Sequence, residues 1–199
     1  LMDDVSRRAV LEDEIISIAT STPLWLVDEL SREYDKKFLV EFLSSCNQKT
    51  DITLRTNLIR TTREELLKLL ELKGYECKEG NLPHSIQIKK MNDFSNGLFV
   101  VQDEAAQMAC LKLNPLPGEV VLDACSAPGG KTTYLAGLMN NQGRIDAWDI
   151  HEHRVKLVKD MADKLGISII HAERKDATVY EPTLENCYDK ILLDVPCSG

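Results

Sequence analysis

Four places in the chain set chemically capable residues directly behind an apolar run: Asp123-Ala124-Cys125-Ser126-Ala127-Pro128-Gly129-Gly130-Lys131-Thr132, Asp149, Asp176 and Asp194-Val195-Pro196-Cys197. Glycines at 129 and 130 let the backbone come close to a ligand, and the amides at the helix start that follows welcome a carboxylate. Asp149 ends a strand pattern, the position where nucleoside sites hold a ribose diol. Hydrogen bonds from a carboxylate to such hydroxyls contribute ~1.5–3 kcal/mol each. Asp176 can then accept from an adenine amino group. A methionine carboxylate at the helix start, a ribose on Asp149 and an adenine by Asp176 make up S-adenosylmethionine. Any one of these acids alone reads as a solvated strand end; four strand ends together favour a cofactor site.

A phosphate-binding loop competes with that reading. Gly129-Gly130-Lys131-Thr132-Thr133 precedes a helix, and Ile191-Leu192-Leu193-Asp194 has the form of the strand and acid that accompany such loops. The pattern G-x-x-x-x-G-K-[ST], however, needs glycine where Cys125 stands. A P-loop NTPase is therefore the weaker enzyme reading, and a non-catalytic RNA-binding scaffold is the reading from outside enzymes.

The elements that must position these residues alternate. Strand patterns at 120–123, 144–149, 167–172 and 188–194 enclose helix patterns at 131–139 and 152–165, a βαβαβ order that predicts an α/β fold with a parallel, doubly wound sheet. A helix capped by Asp103 leads into it. Residues 46–102 read as a small α+β unit. Residues 52–57 alternate like a strand, Thr62-Arg63-Glu64-Glu65 is a capping box opening a helix that Gly74 stops, and residues 86–88 and 98–101 are further strands. Residues 1–45 read as short helices, with Pro23 in a first turn.

Composition narrows the class. Lys and Arg number 24 against 32 Asp and Glu, a formal charge of −8 that argues against nonspecific coating of nucleic acid. No run approaches the ~18 apolar residues of a membrane span, and no charged-then-apolar leader opens the chain, so the expected location is the cytoplasm. Six cysteines stand singly, which suggests neither a metal site nor a disulfide framework. Cys46, Cys77, Cys110 and Cys187 are read as buried small apolar residues, and Trp25 and Trp148 as core. Leu1 is not an initiator Met and Gly199 follows a strand and turn at once, so the chain reads as a piece of a longer protein, expected to be monomeric.

The strings 123–133 and 194–199 together resemble the RNA (cytosine-5) methyltransferases of the Nop/Sun family. Residues 20–110 are similar to its bacterial 16S ribosomal RNA branch, through Trp25-Leu26-Val27, Leu54-Arg55-Thr56-Asn57 and the run from Gly97 to Gln107. The resemblance implies a class I S-adenosylmethionine-dependent methyltransferase over 103–199, an RNA-binding α+β subdomain over 46–102, and the end of an N-terminal helical RNA-binding region over 1–45. It further implies that Cys125, Ser126, Ala127, Pro128, Gly129, Gly130 and Lys131 wrap the methionine end, that Asp149 holds the ribose, and that Asp176 lies by the adenine. Arg154 lines the site, and Asp194 borders both cofactor and target base. The family's second cysteine motif, Thr-Cys-Ser, is expected beyond Gly199.

Carbon 5 of cytosine is a poor nucleophile, so its methylation requires a thiolate to add at carbon 6 first. On residues alone that thiolate is Cys197, on the strand end that carries Asp194. The resemblance instead gives the attack to the Thr-Cys-Ser cysteine and to Cys197 a part in product release, with Asp194 on the amino edge of the flipped base. Lys49, Arg55, Arg60 and Arg63 against Asp51 form a local basic excess, read as a phosphate track for a single-stranded or loop segment of ribosomal RNA.

Overall fold

The computed structural model describes residues 4–91 and 97–195, with side chains from residue 10 onward. Pro196 and Cys197 lie outside the described residues. The chain divides into two compact units, Leu1–Thr50 and Asp51–Gly199.

The first unit is helical: α1 (Asp4–Thr20), α2 (Leu24–Leu30) and α3 (Lys36–Cys46). Ile16, Val27 and Leu43, with Leu30 against them, form its small core. Asp35 caps α3 by accepting from the Phe38 amide at 3.0 Å. Pro23 is the N-cap of α2, one position ahead of the first turn. Trp25 is 69% exposed, which corrects its reading as core, because α2 is only seven residues long and buries Val27 alone.

The second unit opens with an antiparallel sheet ordered β2-β3-β1-β4, formed by β1 (Ile52–Thr56), β2 (Cys77–Glu79), β3 (Ser85–Ile88) and β4 (Phe99–Val101). The helix α4 (Arg63–Leu72) supplies Leu66 and Leu70 to a core with Leu54, Ile86 and Ile88. Its capping box is formed: the Thr62 hydroxyl accepts from the Glu65 amide at 3.2 Å, and the Thr62 amide donates to the Glu65 carboxylate at 3.1 Å. β2 has no counterpart in the sequence reading, since its three residues carry no apolar alternation.

The expected parallel sheet follows. β5 (Val120–Asp123), β6 (Arg144–Asp149), β7 (Ile170–Arg174) and β8 (Lys190–Leu192) pair in parallel in the order β7-β6-β5-β8. Helices α5 (Glu104–Leu113), α6 (Gly130–Leu138) and α7 (Glu152–Leu165) contribute Cys110, Leu135, Ala162 and Leu165 to the main core, which Val121 and Ile145 join from the sheet. Leu122, Ala124 and Trp148 form a second cluster with Leu184 and Tyr188. From β5 the chain winds outward to β6 and β7, then returns to lay β8 on the other side of β5. The carboxyl ends of β5 and β8 therefore flank a topological switch point, where ligands of open α/β sheets bind.

The two sheets of this unit are stitched by buried polar side chains. The Asn57 amide donates to the Gly97 carbonyl at 2.7 Å and the Leu165 carbonyl at 2.9 Å. Arg55 reaches from β1 to the first turn of α6. No described helix is long and apolar enough to cross a membrane. Among the cysteines read as buried, Cys110 is buried and Cys77 half-buried, whereas Cys46 and Cys187 are exposed and correct that reading; both sit where chain ends an element or loops.

Candidate active site

The turn after β5 is held by short-range bonds that its sequence dictates. Ser126 donates its amide and its hydroxyl to the Trp148 carbonyl at 2.8 and 2.9 Å, tying the turn to β6. Thr132 donates its hydroxyl to Asp123 Oδ2 at 2.7 Å, closing the loop on its own strand. Gly129, the N-cap of α6, has φ +104°, and a Cβ there would stand 3.2 Å from Val158 Cα in α7. Its bare Cα thus serves a left-handed turn and close helix packing, whereas the sequence reading assigned it to ligand approach. Gly130 faces differently: a Cβ on it would come 3.4 Å from Gln102 Nε2.

Between this turn, the end of β4 and the end of β8 lies a cavity of about 260 Å³. Cys125, Ser126, Ala127, Pro128, Gly130 and Lys131 line it, as do Asp123 and Asp194. Gln102 and Asp103, to which no place in the site was assigned from the sequence, line it as well. Lys131 Nζ and Asp194 Oδ2 are 2.5 Å apart, an ion pair joining the start of α6 to the end of β8. The lining therefore holds three carboxylates, those of Asp103, Asp123 and Asp194, against one ammonium, and that ammonium is already paired. Two polar atoms on the lining residues have no hydrogen-bond partner although buried: Gln102 Oε1 and Asp123 Oδ1.

Asp149 is buried, with Oδ1 accepting from the His151 amide at 3.0 Å. Arg154 Nε stands 3.5 Å from its Oδ2, and the same guanidinium donates to the Ala127 carbonyl at 3.3 Å. Arg154 thus bridges the end of β6 to the glycine turn. Asp149, Arg154 and Asp176 are not among the residues that line the cavity. Asp176 Oδ1 accepts from the Thr178 amide at 2.9 Å and hydroxyl at 2.7 Å, and these bonds hold its carboxyl below the usual range. Burial, reinforced by Asp123, Asp149 and Asp194, raises the Cys125 thiol, which leaves it a poor nucleophile.

Of the four cations read as a phosphate track, one is buried inside the second unit. Arg55 is 1% exposed, and this corrects its assignment. Its guanidinium donates to the Gly130 carbonyl at 2.7 Å and the Thr133 hydroxyl at 3.0 Å, and lies 4.9 Å from the Tyr134 ring centroid. Arg63 is ion-paired with Glu79 at 3.0 Å. Arg60 lays its guanidinium against Gly97 and Gly166 and is exposed, and Lys49 is exposed in the first unit.

Burial pushes the Asp123 carboxyl up to about 6 from an ordinary 3.8, with Asp194 adding to the rise and Thr132, the Cys125 amide and Lys131 opposing it. The folded state then binds a proton more readily than the unfolded state, so this group's contribution to stability falls as pH rises from 4 to 6. The difference amounts to at most about 3 kcal/mol. Asp123→Asn is expected to gain stability relative to the parent over that window, read as the difference between their urea midpoints; a constant difference from pH 4 to 7 would contradict it.

Comparison with known proteins finds relatives of this chain. Residues 110–199 match the family model described as 16S rRNA methyltransferase RsmB/F, and residues 22–95 match the RsmF/B-like ferredoxin-like domain. The chain is 39% identical over 198 residues to the probable ribosomal RNA small subunit methyltransferase B of Bacillus subtilis (strain 168), covering 95% of this chain and 44% of that protein. It is 33% identical to the 28S rRNA (cytosine-C(5))-methyltransferase of Mus musculus, over 88% of this chain and 23% of that one. A methyltransferase homologue from Pyrococcus horikoshii superposes with TM-score 0.79 at 25% identity, covering 92% of this chain and 62% of that chain. The chain spans less than half the length of the two curated relatives.

Proposed function

The chain belongs to the RsmB/F family of 16S rRNA methyltransferases, and on that premise we propose that its parallel sheet binds S-adenosylmethionine for methylation of cytosine C5 in ribosomal RNA. The observation that carries this reading is the charge of the cavity at the switch point. Three carboxylates face it, and the lone lysine is spent on Asp194. A triphosphate would be repelled there, whereas a ligand with a sulfonium and an ammonium is attracted. The residues present fit such a group: the unpartnered acceptors Gln102 Oε1 and Asp123 Oδ1 belong to residues that line the cavity.

In this reading Cys125 to Lys131 hold the methionine end, Asp149 takes the ribose diol, Arg154 holds Asp149 in place, and the turn at Asp176 borders the adenine. When bound, the sulfonium supplies an electrophilic methyl group. Lys131 orients Asp194 through their ion pair, and Asp194 accepts from the exocyclic amino group of a cytosine swung out of its stack, which favours loop or single-stranded RNA as substrate. A thiolate adds to carbon 6, making carbon 5 nucleophilic; after transfer the carbon 5 proton leaves and the thiol is eliminated. Cys197 is assigned to that release, and the first attack to the family's Thr-Cys-Ser cysteine.

Calorimetry tests the cofactor half of this proposal. S-adenosylhomocysteine is expected to bind, and ATP with magnesium is not. Binding of the nucleotide instead, or of neither, would overturn it.

A further inference from the structure

Gln102 stands at the junction of the two sheets, just after β4 and just before α5. Its backbone is fixed on both sides: the amide donates to the Thr53 carbonyl of β1 at 3.0 Å, and the carbonyl accepts from Gln107 Nε2 of α5 at 3.0 Å. Asp103, the next residue, caps α5 by accepting from the Ala106 amide at 2.8 Å. The side chain is more than nine-tenths buried, lines the cavity, and leaves Oε1 without a hydrogen bond. Burying such an acceptor unpaired costs about 1–3 kcal/mol. Nothing inside the protein uses it.

The same cavity is lined by the glycine turn, which Gln102 abuts at Gly130, and by Asp123, whose Oδ1 is likewise unpartnered. We infer that Gln102 recognises the amino-acid end of the donor, its carboxamide pairing with the α-ammonium and α-carboxylate that the glycine turn holds from the other side. A carboxamide carries an acceptor and two donors at one tip, so it complements both charged groups of an amino-acid zwitterion. A carboxylate in its place would repel one of them, and an apolar residue would leave both unpaired. The small antiparallel sheet thereby delivers one side of the cofactor site.

This inference rests on the cofactor reading above, and two ligands separate their failures. S-adenosylhomocysteine carries the amino-acid end; 5′-methylthioadenosine shares its nucleoside and sulfur but lacks that end. Gln102→Met, close in length and unbranched, is expected to weaken S-adenosylhomocysteine about 10-fold or more while methylthioadenosine binds within about twofold of the parent. Binding of methylthioadenosine by the variant also reports that the site has folded. Equal losses for both ligands, or no loss for either, would overturn the role of Gln102 and leave the cofactor reading standing. A parent protein that binds neither ligand would bring down both.

Discussion

Replacing Asp149 with Ala is expected to weaken S-adenosylhomocysteine at least about 100-fold, because two carboxylate–hydroxyl bonds of ~1.5–3 kcal/mol each are lost at once. The position is prepared for that task. Asp149 is 5% exposed at the end of β6, one oxygen is oriented by the His151 amide, and Arg154 pins the carboxylate from the side that also touches the glycine turn. A buried acid held by a single amide and a guanidinium 3.5 Å away keeps lone pairs for a ligand. Asp149→Asn is expected to recover part of the affinity, since it keeps one acceptor and the shape. A change below about threefold for Asp149→Ala would remove the ribose from this strand end. The measurement is calorimetric titration of parent and variants under one buffer condition.

The second large effect falls on stability. Arg55→Ala is expected to destabilise the second unit by about 3–5 kcal/mol, the cost of stripping the partner from buried polar groups and opening a cavity. The Gly130 carbonyl and Thr133 hydroxyl lose their donor together, and the Tyr134 ring loses the cation above it. For a unit of this size that corresponds to a fall in Tm of about 10 °C. Burial lowers the Arg55 guanidinium to about 10, so it stays charged at neutral pH and the loss is of a charged donor. Arg55→Lys is expected to restore less than half, because an ammonium cannot fork to two acceptors. A variant that melts within about 2 °C of the parent and loses only RNA affinity would reinstate Arg55 as a phosphate contact.

That residue also shows where sequence reading runs out. Alternation in β1 sets Arg55 on the face opposite Leu54, and the structure agrees. The inference that the opposite face meets water fails, because α6 covers it with Tyr134. Period-two patterning tells which residues share a face and leaves open what covers it. Legible elements were those with a local chemical signature: the Thr62 capping box, the Asp103 cap, and the strand and helix alternation from residue 120. β2 was illegible because an edge strand of three residues with exposed Lys78 and Glu79 carries no apolar alternation to read. Of the cavity lining, the glycine turn and Asp194 were legible from spacing. Gln102 was not, since its importance lies in a missing hydrogen bond that only the folded arrangement creates.

The pairing of Lys131 with Asp194 carries the argument against a triphosphate further than the missing glycine at position 125 does. A phosphate-binding lysine must face its ligand unpaired, and here the ammonium sits 2.5 Å from a carboxylate at the mouth of an acidic cavity. The same pair joins the start of α6 to the end of β8 beside the switch point, so it organises the edge at which a target base would arrive.

The most direct test is a crystal structure of the protein grown with S-adenosylhomocysteine. The account predicts the amino-acid end between Gln102 and the turn at 125–131, with the ribose hydroxyls on Asp149. The ligand lodged elsewhere, or a nucleoside triphosphate occupying that cavity, would contradict it.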